Sequence, residues 1–72
     1  MKLDYYPDTD SLYIDLSEQT STDSTEISEG VVLDYDESGN IVGIDIDNAS
    51  RKIVLSELEI NRMPLVMQRV VA

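Results

Sequence analysis

Five oxygen-bearing side chains between positions 34 and 45 have the spacing in this chain that comes closest to a metal site. The run Asp34-x-Asp36-x-Ser38-Gly39-Asn40 places an oxygen at alternate positions and a glycine at the sharp turn, as in the first half of an EF-hand calcium loop. Asp45 falls at the twelfth position, where that motif normally has a bidentate glutamate. The candidate calcium ligands are therefore Asp34, Asp36, Ser38, Asn40 and Asp45.

A β-hairpin turn explains the same letters without a metal. The ninth position holds Val42, which offers no side-chain oxygen, and the flanking segments have the β-branched composition of strands where the motif requires helices. Aspartate, serine, asparagine and glycine are also the residues that turns prefer. We therefore expect a hairpin turn here, and a calcium-binding or regulatory module is the alternative function.

Enzymatic chemistry has little support in the residue types present. The chain contains no histidine and no cysteine, so the commonest general base and the most nucleophilic side chain are both absent. Asp8 with Asp10, or Asp34 with Asp36 and Glu37, would form a general acid and base pair only if the fold buried them. Carboxylates in turns are ordinarily solvated and bond to nearby backbone N–H groups. The sequence thus predicts a protein that is not an enzyme and needs no cofactor.

Negative charge dominates the chain and is unevenly distributed. Fifteen Asp and Glu against five Lys and Arg give a net charge of −10, which disfavours nucleic acid and anionic membranes as partners. Residues 1–48 hold thirteen of the acids and one basic residue, Lys2, whereas residues 49–72 hold four basic residues and two acids. The simpler interpretation is a solvated surface that keeps a small protein in solution. The asymmetry also suits a basic protein partner, or head-to-tail contact within a homodimer.

Two β-hairpins are predicted, the first from period-two alternation of apolar and polar residues and the second from two β-branched apolar runs. In the first, Lys2–Tyr6 and residues 11–16 flank a turn that contains Pro7. In the second, Val31–Tyr35 and Ile41–Ile46 flank a cluster of turn residues. The first hairpin has one apolar and one polar face, as expected for half-buried antiparallel strands.

The remaining elements leave weaker signals. Residues 24–27 are expected to pair with the start of the second hairpin through a tight turn at Glu29-Gly30. Asp47 or Asn48 is expected to cap a short helical turn over residues 49–53.

The C-terminal residues 54–72 are compatible with either a strand or a helix. Leu55 and Leu58 lie on one helical face, whereas Leu58 and Ile60 alternate with polar residues as in a strand. Residues 65–72 are apolar apart from Gln68 and Arg69 and are expected to pack across the sheet. The predicted fold is α+β and mainly β, in a single domain over residues 1–72. It consists of an antiparallel β-meander of about five strands, a short helix and an apolar C-terminal segment packed on the sheet.

Chain length predicts self-association. A chain of this size buries only about 60% of its unfolded surface, and without cysteine it has no disulfide to compensate. We therefore expect a homodimer. No apolar run approaches the roughly 20 residues that span a bilayer, so we expect no membrane partner and a cytoplasmic location.

Candidate partner-binding residues come from the polar face of the first hairpin and from the C-terminal segment. Tyr13 shares a face with Asp15, opposite Leu12 and Ile14, and an exposed aromatic ring there would anchor a contact. Cross-strand packing of this ring against another tyrosine is the alternative. The predicted contact residues are Tyr13, Asp15, Leu65, Met67 and Val70.

Three blocks of sequence, in this order, resemble the prokaryotic domain-of-unknown-function 2283 family. They are the run Tyr6-Pro7-Asp8-Thr9-Asp10-Ser11-Leu12-Tyr13-Ile14, the run Gly30-Val31-Val32-Leu33-Asp34-Tyr35-Asp36, and residues 39–50 with Val42-Gly43-Ile44 leading into Ala49-Ser50. The likeness covers about residues 3–66. It implies a small, mainly β fold without agreed catalytic residues. Because members are often encoded beside small toxin-like proteins, it also implies an antitoxin-like partner of a neighbouring basic toxin.

Overall fold

The computed structural model describes residues 1–69, and it places five strands and one short helix in them. The elements are β1 (Lys2–Tyr6), β2 (Ser11–Asp15), β3 (Asp23–Ser28), β4 (Val31–Tyr35), β5 (Ile41–Ile46) and α1 (Ala49–Lys52). All neighbouring strands pair antiparallel. The predicted mainly β, α+β fold class is confirmed, and so are both hairpins.

The strand order is β1-β2-β5-β4-β3, which differs from the order of a simple meander. β5 lies at the centre, and β3 lies at an edge although it follows β2 in the chain. Every residue of β3 is exposed, whereas β5 contains three buried residues. A strand without buried apolar side chains gains little from a central position, so β3 is placed at the edge and the more apolar β5 pairs with β2.

One side of the sheet, here called the apolar side, carries the core. Leu12, Ile46 and Val31 lie opposite one another on β2, β5 and β4, and Ala49 of α1 packs on them. Leu12 and Ile46 are only 6% and 8% exposed, and Ala49 is fully buried. α1 therefore covers the end of the apolar side where this row lies.

A carboxylate in the first hairpin turn holds the start of α1. Asp10, which has a positive φ of 53°, accepts hydrogen bonds from the amide and hydroxyl of Ser50 at 3.1 and 2.7 Å, and its carbonyl accepts the amide of Ala49 at 2.8 Å. The predicted side-chain cap from Asp47 or Asn48 is not observed, because the N-cap residue, Asn48, has a left-handed backbone and makes no side-chain cap hydrogen bond. A partner forty residues away in the chain thus replaces the local cap.

The segment that follows α1, residues 54–69, has no helix or strand and is exposed at every position. We call it the C-terminal segment. The predicted packing of this segment on the sheet is not observed for residues 54–69, where Val66 and Met67 are 104% and 71% exposed. Its apolar residues follow neither a helical nor a strand period, and Pro64 lacks a backbone N–H, so no single face forms that would offset the entropy of ordering it. Residues 70–72 lie outside the described residues.

Candidate functional site

The side of the sheet opposite the core is rich in carboxylates, and we call it the acidic side. Two rows of paired residues cross all five strands on it, in the strand order given above. At the usual spacings of about 4.8 Å between strands and 6.8 Å between alternate residues, five carboxylates and one amine share a patch of roughly 19 by 7 Å. The first row is Asp4, Tyr13, Asp45, Val32 and Glu26, and the second is Lys2, Asp15, Gly43, Asp34 and Ser24.

Tyr13 links the two rows by lying across Gly43. A Cβ built on Gly43 would lie 2.6 Å from Cζ of Tyr13, so the ring occupies the space that a side chain would fill. The Tyr13 hydroxyl donates to Oδ2 of Asp34 at 2.8 Å, and the Ser24 hydroxyl donates to Oδ1 of the same carboxylate at 2.6 Å. The Asp34 carboxylate is therefore held in place by donors from two other strands.

Electrostatics on the acidic side reflect its crowding. The hydrogen bond to the Asp34 carboxylate, with burial and further negative charges, raises the pKa of Tyr13 to about 12. Partial burial raises the pKa of Asp45, and the charges of Asp47 and Asp34 raise it further. The Asp45 carboxylate is thus held beside like charges where its ionisation is disfavoured, and a cation bound nearby would relieve this repulsion.

The five candidate calcium ligands do not converge on one point. Oδ1 of Asp36 accepts the amides of Ser38 and Asn40, both at 2.9 Å, which builds the predicted hairpin turn. Asp34 is bound by Tyr13 and Ser24, and Asp45 belongs to the other row. Among residues 1–69 there is no group of three or more His, Cys, Asp or Glu placed to hold a metal ion.

The predicted partner-binding residues fall on two separate parts of the protein. Tyr13 and Asp15 are half-buried members of the acidic side, in neighbouring rows. Leu65 and Met67 are exposed in the C-terminal segment, 47% and 71% respectively. Val70 lies outside the described residues.

Sequence reasoning missed the roles of Gly43, Ser24 and Asp34 in holding Tyr13. A glycine in the interior of an apolar strand is a known sign of a close approach by another group, and Gly43 between Val42 and Ile44 gave that signal. The identity of the approaching residue depends on the strand order, which no local pattern contains.

These features define a small antiparallel β domain with one acidic and one apolar side. The chain belongs to the family described as "Protein of unknown function (DUF2283)", whose model matches residues 2–50. The matched region includes all five strands and the beginning of α1. No curated protein and no solved structure gave a significant match. Among the residues described, no helix has the length and apolar character needed to cross a membrane.

Proposed function

We propose that this chain is a non-enzymatic protein-interaction domain that binds a basic partner protein through the acidic side of its sheet. The observation that carries the proposal is the pair of rows in which five carboxylates lie on one face with Lys2 as the one basic residue. Such a surface attracts cationic groups over a long range and repels nucleic acid.

A fixed carboxylate suits recognition of an arginine or lysine side chain. Asp34 is held by Tyr13 and Ser24, so it loses little conformational freedom when a partner binds. The ring of Tyr13 lies in the middle of the patch and adds flat apolar area beside the charges. A guanidinium group binds such a combination well, because it pairs with carboxylates and stacks on aromatic rings.

The resemblance to a family often encoded beside small toxin-like proteins directs the search for the partner. We infer an antitoxin-like role in which the acidic side covers a basic surface of the neighbouring gene's product. The localisation that goes with this role is the cytoplasm.

Co-expression with the product of the neighbouring gene tests the proposal. A complex is expected at low ionic strength, with a dissociation constant that rises with added salt, because exposed charges are screened beyond about 10 Å at 0.1 M salt. Absence of a complex at low ionic strength would contradict the antitoxin role.

A charge-matched pair of variants locates the surface. Asp4→Asn with Asp15→Asn removes two carboxylates from the acidic side, and Glu37→Gln with Glu57→Gln removes two from the hairpin turn and the C-terminal segment. The first pair is expected to weaken binding roughly tenfold or more. Equal weakening by both pairs would mean that net charge matters and the acidic side does not.

A further inference from the structure

Two apolar surfaces of the chain face solvent. The first is the end of the apolar side that α1 leaves open, where Leu3, Leu16 and Ile41 are 47%, 37% and 43% exposed. Leu3 pairs with Ile14, and Ile41 pairs across a β-bulge with Tyr35, which alternates with Val31 on β4. The second is the C-terminal segment, whose large apolar side chains are 39% to 104% exposed. They are Val54, Leu55, Leu58, Ile60, Met63, Leu65, Val66 and Met67.

We propose that the C-terminal segment of one copy docks on the open apolar end of a second copy, so that two chains exchange segments in a symmetric dimer. Each subunit then provides one segment and one sheet, and the same contact forms twice. The proposal does not depend on the function assigned to the acidic side, because that surface faces the opposite way.

Charge selects the segment as the part of a second copy that approaches the sheet. Residues 1–48 carry thirteen acids and one basic residue, so two sheets repel each other. Residues 54–69 carry Arg62 and Arg69 against Glu57 and Glu59, and they are therefore neutral overall. Contact between the segment and the sheet joins the apolar surfaces of two copies without bringing their acidic rows together.

The length and the surface area of the C-terminal segment are also sufficient for this contact. Sixteen extended residues span up to about 50 Å, whereas the longest dimension of the protein is 31 Å. The protein is also more extended than a compact chain of this length, since its radius of gyration is 13.1 Å against about 11 Å. At the mean exposure of the chain, sixteen residues present roughly 1,400 Å² on all sides, so a segment that buries somewhat more than half of its surface reaches the ~800 Å² that each partner buries in a standard interface.

The small core explains why exchange of the C-terminal segments would stabilise the protein. Within the described chain, four apolar residues are buried, and no large side chain among them is completely buried. Covering Leu3, Leu16 and Ile41 with the partner's segment removes both apolar surfaces from water in one contact.

Light scattering during size-exclusion chromatography of the full chain provides the first measurement. The expected mass at 100 µM and 0.15 M salt is about twice the 8.1 kDa of one chain. A segment variant, Leu58→Ser with Leu65→Ser, and a face variant, Leu3→Thr with Leu16→Thr, are each expected to raise the dissociation constant of the dimer roughly a hundredfold, because a symmetric dimer loses each contact twice. A monomeric wild-type protein would overturn the proposal.

Mixing the two variants separates segment exchange from other dimers. A heterodimer keeps one intact contact, between the segment of the face variant and the sheet of the segment variant, while its other contact carries both sets of changes. Because these changes remove the two sides of the same interaction, the second set adds little further loss. The heterodimer is therefore expected to bind about tenfold more tightly than either variant homodimer. Dimers joined by the edges of β1 or β3, or packed sheet to sheet, would survive in the segment variant, and that result would overturn the proposal. So would a mixture that forms no heterodimer.

Two further variants guard against loss of fold. Ile27→Thr removes a 57% exposed side chain from β3, at the opposite edge of the sheet, and is expected to leave the dimer intact. Ile41→Thr tests the open apolar end with a single change, and far-UV circular dichroism confirms that each variant retains its sheet. Equal weakening by Ile27→Thr and Ile41→Thr would show that the contact is not at the proposed end.

Discussion

Replacement of Gly43 by alanine tests whether Tyr13 lies on the backbone of β5. The new Cβ would lie 2.6 Å from Cζ of Tyr13, so the ring would have to leave and its hydrogen bond to Asp34 would break. The expected loss is about 1.5 kcal/mol for a hydrogen bond to a partly solvated carboxylate and about 1 kcal/mol for the ring contact. Replacing a strand glycine with alanine returns about 0.5–1 kcal/mol. The net destabilisation is roughly 1–2 kcal/mol. In a domain of this size, each kcal/mol of destabilisation lowers Tm by about 4–8 °C.

A double-mutant cycle measured by urea denaturation tests the placement of the ring through the sign of the stability change that Gly43→Ala causes. In the Tyr13→Ala background the ring is gone, and the nearest remaining atom, Oδ2 of Asp34 at 3.3 Å, has lost its hydrogen bond to Tyr13 and can move slightly. Gly43→Ala is therefore expected to stabilise the protein by about 0.5–1 kcal/mol. The two effects of the same substitution therefore differ by roughly 2 kcal/mol, which is the coupling energy between the two positions. A stabilising or neutral Gly43→Ala in the presence of Tyr13 would refute the placement of the ring.

Four further outcomes follow from the same contacts. The pKa of Tyr13, about 12 against an ordinary 10.0, means that the folded state keeps a proton that the unfolded state releases. Its stabilising contribution is therefore complete below pH 10 and is lost towards pH 12, and urea melts of Tyr13→Phe should show a smaller loss over that range. Because burial and negative neighbours raise the pKa of Asp45, Asp45→Asn should raise Tm at pH 7, and this increase should shrink as the pH falls towards 3 and the carboxyl takes up its proton. Asp10→Asn should lower Tm more than Asp8→Asn, because Asp10 accepts both the amide and the hydroxyl of Ser50; equal Tm values would contradict this role. Millimolar calcium should leave Tm unchanged, since the carboxylates do not converge, and a rise beyond about 2 °C would favour the calcium-binding alternative.

The strands could be predicted from sequence because the residues that specify each strand are neighbours in the chain. The β-branched apolar composition of Val31–Tyr35 and Ile41–Ile46, with turn residues between them, is sufficient to specify a hairpin and its bounds. The turn at Glu29-Gly30 was also visible, since Gly30 supplies the positive φ of 72° that this connection needs.

Contacts between distant parts of the chain were not predictable in the same way. The cap of α1 comes from Asp10, and the sequence near Asn48 contains nothing that points to it. The strand order depends on which strands bury most surface, so it emerges only when β3 and β5 are compared across the whole sheet. The Tyr13 and Asp34 pair followed from that order and was missed with it.

The two proposed assemblies use opposite sides of the sheet, and their dependence on salt should distinguish them. In the proposed homodimer the acidic sides repel each other, so the contact lies on the apolar side and leaves the carboxylates free for the proposed basic partner. Added salt screens the attraction to that partner and weakens its binding, whereas it also screens the repulsion between two chains of net charge −10 and favours the dimer. Measured from 0.05 to 0.5 M salt, the dissociation constant of the partner complex should therefore rise while that of the homodimer falls. Parallel changes in both constants would mean that one surface serves both contacts.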